Sequence, residues 1–179
     1  MVYLFLADGF EEVEALTPLD ILRRAQIPVK TVGVGTNRPC GAHQIIVEAD
    51  ISTADLDFYN MTAVILPGGM PGTLNLEKSD VVQDALSRAM ENNLTVAAIC
   101  AAPSILGHKG YLEGKIATCF PGFEKDLFGT EVIDQAIVWD GNILTARGAG
   151  VALDFALALV SRLASEEKSK EIRGVIQCR

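Results

Sequence analysis

Only two histidines, His43 and His108, occur in 179 residues, and the four cysteines Cys40, Cys100, Cys119 and Cys178 are irregularly spaced. A zinc knuckle or a His-rich centre needs ligands at short, regular intervals, so no metal site is expected. Four scattered cysteines are also too few for a disulfide framework. Basic residues are scarce: 15 Lys and Arg against 23 Asp and Glu leave a formal net charge of −8. That sign makes duplex nucleic acid and anionic membrane poor partners. The stretch Met1–Asp8 has no basic n-region, and its apolar run is too short for export. The longest uncharged window, between Glu91 and Lys109, contains Asn92, Asn93 and Pro103. It divides better into a strand and a helix than into one membrane span. The expectation is a soluble, reduced, cytoplasmic protein.

What the chain does have is apolar mass. Hydrophobic residues make up 49% and charged ones 21%, which excludes disorder. The length fits one domain over residues 1–179, with no repeat or linker to divide it. Short apolar runs alternate with amphipathic segments, which predicts an α/β sheet. Buried strands are expected at Val2–Leu6, Val29–Val34, Ala63–Leu66 and Thr95–Ile99, with a short one at Gln44–Val47. A helix is predicted from about Phe10 to Ala25. Its acidic start at Glu11, Glu12 and Glu14 and basic end at Arg23 and Arg24 suit the helix dipole, and Pro18 should kink it. Val82, Ala85, Leu86 and Ala89 fall at i, i+3, i+4, i+7, the core stripe of another helix. Asp140-Gly141-Asn142 reads as a hairpin turn between Ile137–Trp139 and Ile143–Ala146. Further helices are expected at Val151–Leu163 and, as a solvated terminal one, at Glu166–Arg173.

Two segments combine strand, sharp turn and helix. In Thr95–Pro103 an apolar strand delivers Cys100 to a corner of small residues, and Pro103 can open a helix. A thiol in that position should feel positive helix charge and ionise more readily, and thiolate is the nucleophile. In Leu66-Pro67-Gly68-Gly69-Met70-Pro71-Gly72 consecutive glycines can converge backbone N–H groups on an anion. Open α/β sheets place their sites at such carboxyl ends of strands. The glycine run is neither a dinucleotide fingerprint nor a P-loop.

Four motifs, A-D-G-F-E-E-V-E-A-L-T-P-L-D, L-P-G-G-M-P-G, A-A-I-C-A-A-P and L-T-A-R-G-A-G, occur in that order along the chain. Together they resemble the ThiJ/PfpI superfamily, in particular the subgroup of the Parkinson's-associated protein deglycase and its bacterial relatives. The resemblance implies a flavodoxin-like α/β sandwich, a mostly parallel sheet with helices on both faces, assembled as a homodimer with Asp20 and Arg24 near the interface. It places Cys100 on the reactive cysteine and Glu14 on the acidic residue that hydrogen-bonds that sulfur in its protonated form. Gly69 and Ala101 fall on the oxyanion-binding amides, with Gly68 and Cys119 as auxiliary positions. Glu11 and Glu12 read instead as first-turn helix charges.

The implied activity is that of a cofactor-independent cysteine enzyme, glyoxalase or deglycase in type. Its substrates would be methylglyoxal, glyoxal or their early adducts on proteins and nucleotides. The alternative is a redox-sensing stress protein or chaperone in which Cys100 is oxidised to sulfinate. Peptidase chemistry is disfavoured. Ala101 stands where peptidase relatives carry histidine, and Thr118-Cys119-Phe120-Pro121 holds none either. His43 aligns at the edge of the site, and His108 reads as a helix-end residue.

Overall fold

The structure is a computed structural model that describes residues 1–178. Strand β1 (Val2–Ala7) leads into helix α1 (Glu12–Arg24), then β2 (Val29–Val34), β3 (Ile51–Ser52) and β4 (Ala63–Leu66). Helices α2 (Gly72–Glu77) and α3 (Asp80–Glu91) precede β5 (Thr95–Ile99) and α4 (Pro103–His108). Strands β6 (Ile116–Ala117), β7 (Glu131–Val132), β8 (Ile137–Asp140) and β9 (Ile143–Ala146) follow, then α5 (Ala152–Leu163) and α6 (Glu166–Val175). The main sheet has seven strands in the order β3-β2-β1-β4-β5-β9-β8, all parallel except the β8–β9 hairpin. Strands β6 and β7 form a separate parallel pair.

Alternation along each strand builds two cores. Val2, Leu4 and Leu6 of β1, Ile65 of β4 and Ile99 of β5 pack with α1, α5 and α6. Tyr3, Phe5 and Ala7, with Val64 and Ala98, pack on the other face with α2, α3 and α4. Side chains of a strand point alternately to its two faces, so continuous apolar runs are what a sheet covered on both sides requires. The parallel strands β2-β1-β4-β5-β9 keep the flavodoxin-like order, which reverses between β1 and β4. The turns after β1, β4 and β5 therefore meet at one crevice.

Most expected elements are present, and several differ instructively. Gln44–Val47 is not a strand; only Cys40 and Ile46 form an isolated bridge. The edge position belongs to Ile51–Ser52, paired with Val32 and Gly33. Helix α1 runs on through Pro18 to Arg24. The missing N–H removes one rung, at the Glu14 carbonyl, without ending the helix. Helix α6 is not wholly solvated, because Ile172 is buried in the core under it.

Candidate active site

Four segments bring their residues to the crevice. The β5 strand ends at Ile99, and Cys100 follows in the left-handed region at φ 66°. For a side chain other than glycine that conformation is strained, by about 1–3 kcal/mol where the surroundings impose it. Two backbone bonds impose it here: Cys100 N–H donates to the Ala146 carbonyl (2.9 Å), and Phe120 N–H donates to the Cys100 carbonyl (2.8 Å). The corner thus aims the Cys100 side chain away from the path its strand would give it.

Glu14 reaches the same point from the first turns of α1 and is 1% exposed. The Gly68 N–H donates to its Oε2 at 2.9 Å, and the Ala149 N–H and the Cys100 sulfur lie near enough to the carboxyl to lower its pKa. Gly68 has to be glycine at this place. A Cβ there would lie 2.7 Å from both the Cys100 Cβ and Glu14 Oε2. Gly69, at φ 90°, lets the chain turn so that its N–H, together with that of Ala101, comes near enough to the sulfur to favour its anion.

Burial dominates the electrostatics. It raises the Glu14 carboxyl to about 7, with the Glu11 carboxylate adding to the rise and the hydrogen bonds from Cys100, Gly68 and Ala149 opposing it. Burial, the Glu14 charge and the hydrogen bond to it push the Cys100 thiol up to about 12, against the pull of the Ala101 and Gly69 amides. The sequence expectation of a thiol acidified by a helix end is corrected on this point. Helix α4 begins only at Pro103, and desolvation beside a carboxylate outweighs the local N–H groups. A thiolate is favoured where Glu14 carries the proton, since that removes the repulsion and leaves the two amides facing an anion.

The other sequence candidates separate from this pair. Cys119 is buried in the core on the opposite face of the sheet, and burial with Glu124 and Asp126 raises its thiol to about 11. It is not brought into the Cys100 cluster. His108 ends α4 and bonds Glu77 at 2.5 Å. Glu12 is a first-turn helix charge as expected, but a buried one: it is 5% exposed and takes hydrogen bonds from His43. Nothing in the local residue pattern signals this, because the partner lies 31 residues away. Also missed was a cleft of about 360 Å³ lined by Phe120, Pro121, Arg147 and the segment Gly148–Val151. It opens beside Glu14, whose Oε1 lies 3.9 Å from where a Gly148 Cβ would stand. Its walls are mainly apolar, with Phe120 and Arg147 facing the small residues of the Gly148–Val151 segment, a shape for a small molecule.

Fold and site together define an open α/β protein with a cysteine–carboxyl pair at the sheet's switch point. The DJ-1/PfpI family model matches residues 1–162, and the chain belongs to that family. It is 36% identical over 171 residues to Protein dj-1beta of Drosophila melanogaster, covering 93% of this chain and 91% of that one. The Parkinson disease protein 7 homolog of Danio rerio is 31% identical over 174 residues, covering 94% and 92%. The crystal structure of Drosophila DJ-1beta superposes with a TM-score of 0.95 at 32% identity, over 99% of this chain and 97% of that one. Toxoplasma gondii DJ-1, oxidized, superposes with a TM-score of 0.94 at 28% identity, over 98% and 97%.

Proposed function

We propose that the protein is a cofactor-independent enzyme acting on small reactive carbonyls such as methylglyoxal and glyoxal, free or as early adducts. The observation that carries this reading is the close juxtaposition of Glu14 and Cys100, so tight around Gly68 that a Cβ there would lie 2.7 Å from both the Cys100 Cβ and Glu14 Oε2. Glu14 takes the thiol proton as the sulfur adds to the aldehyde carbon, then returns it to the carbonyl oxygen, giving a hemithioacetal. As the sulfur loses its charge, the Gly69 and Ala101 amides are released to the oxygen that gains it. With methylglyoxal, Glu14 then removes the C1 proton and delivers it to C2. The resulting thioester is hydrolysed by water to a hydroxy acid, with no external oxidant.

The test is steady-state conversion of methylglyoxal to the hydroxy acid without added cofactor. Cys100→Ser should abolish it, and Glu14→Gln should lower it by about 10²–10⁴-fold, the worth of a positioned acid–base group. Turnover that persists in Cys100→Ser contradicts the proposal.

A second reading shares the site. A half-buried sulfur flanked by a protonated carboxyl and two N–H groups has donors ready for a sulfinate, and the Toxoplasma gondii relative is described as oxidized. Gain of two oxygens on Cys100 under mild peroxide, with no carbonyl turnover, favours a redox-responsive role. Assembly as a homodimer, with Asp20 and Arg24 near the contact, belongs to either reading; the two form an exposed ion pair at 2.7 Å.

A further inference from the structure

Outside the Cys100–Glu14 pair, the loop after β2 carries His43 back against the start of α1, between two carboxylates. His43 Nδ1 lies 2.8 Å from Glu12 Oε2 and 3.4 Å from Glu11 Oε2. One donor atom from each of the three side chains lies within 4.8 Å of the other two. Ligands bound at ~2.0–2.2 Å around one divalent ion stand about 3–4 Å apart, so small adjustments bring all three into one shell.

Glu12 is fixed in place. Its Oε1 accepts from the His43 N–H at 2.7 Å and the Ile45 N–H at 3.4 Å. Gly41 closes over the same carboxylate, where a Cβ would overlap it. Oε2 is left facing the imidazole, whose own backbone is anchored by the other oxygen. The ring is 68% exposed, so water has open access to the cluster. Among the described residues no Lys or Arg nitrogen pairs with Glu11 or Glu12; His43 is their one cationic partner.

We propose that Glu11, Glu12 and His43 form a binding site for a first-row divalent cation such as Zn²⁺, with water completing the coordination shell. One imidazole and two carboxylates suit a borderline transition ion better than Ca²⁺ or Mg²⁺. Three protein ligands and an open position form the set that binds an exchangeable ion. On binding, the Nδ1 proton leaves to solvent, and the ion takes its place between ring and carboxylates. The inference does not depend on the carbonyl chemistry proposed above.

Calorimetric titration with Zn²⁺ and absorption with Co²⁺, on wild type and on His43→Ala and Glu11→Gln, test it. The expected result is one ion per chain, released by a chelator and bound at least about tenfold more weakly in either variant. Bound Co²⁺ should show d–d bands without sulfur-to-cobalt charge transfer. His43 is exposed and Glu11 partly buried, and far-ultraviolet circular dichroism checks that each variant is folded. No stoichiometric binding, unchanged binding in either variant, or a charge-transfer band marking a cysteine ligand overturns the proposal.

Discussion

Glu14 and Cys100 hold one proton between them over the range from about 7 to about 12, bounded by the raised carboxyl and the raised thiol. Each is raised mainly by burial, and the presence of either charge opposes the other. A proton kept inside such a pair is available for transfer at neutral pH without leaving the site.

The carboxyl should impose a pH dependence on stability. Its folded value of about 7 lies above the ordinary 4.5, so between those limits the folded state holds more protons than the unfolded one. Its favourable contribution is complete below about 4.5 and is lost as pH rises through about 7, by roughly 3 kcal/mol in all. Glu14→Gln cannot ionise, yet its amide oxygen can still accept from Gly68. Urea unfolding should show the two proteins of similar stability near pH 4.5, with the variant the more stable by about 2–3 kcal/mol at about pH 8. An equal pH slope in both proteins would contradict a buried, raised carboxyl.

Gly68→Ala should separate folding from function. The new methyl meets the Cys100 Cβ and Glu14 Oε2 at 2.7 Å each, so the pair must move apart. A misplacement near 1 Å at reacting groups costs about 10²-fold in rate. Methylglyoxal turnover should fall at least that far while circular dichroism stays native. Wild-type turnover in this variant would show that the pair need not be held this closely.

Away from the site, Asp50 ties α1 to β2. It accepts from the Thr31 N–H and Oγ1 at 2.8 Å each and pairs with Arg23 at 2.7 Å, and its carboxyl is held below the ordinary 3.8 despite partial burial. Asp50→Ala leaves the Thr31 N–H without its acceptor and should cost about 2 kcal/mol in urea unfolding at neutral pH. The difference should shrink as pH falls below 3.8, because protonating Asp50 weakens the same bonds. A loss under about 0.5 kcal/mol, the range of ordinary surface changes, would contradict the role.

Much of this was readable from residue order. Ala63–Leu66 and Thr95–Ile99 are strands because unbroken apolar runs of four residues, Ala63–Leu66 and Val96–Ile99, suit a sheet buried on both faces. The Gly68-Gly69 turn and the Cys100 corner fall at their carboxyl ends for the same reason. Ile51–Ser52 was missed because two half-buried residues carry no periodicity; their pairing with Val32 and Gly33 makes them a strand. Ile45 and Ile46 are apolar yet more than half exposed, so of the run that suggested a strand at Gln44–Val47 only Val47 packs against the core. Charge was only partly legible. Glu12 is the first-turn helix charge its position suggests, but its burial and its His43 partner leave no mark on local sequence, nor does the burial that raises the Cys100 thiol.

The most direct test of the shared proton is the rate of Cys100 alkylation by iodoacetamide as a function of pH, followed by mass spectrometry. In wild type the rate should rise through an inflection near 7, where Glu14 and Cys100 together lose their first proton, and then stay level through the alkaline range below about 12. In Glu14→Gln that inflection should vanish. A single rise near ~8.5, the value of an ordinary free thiol, in both proteins would contradict the pairing of Cys100 with Glu14.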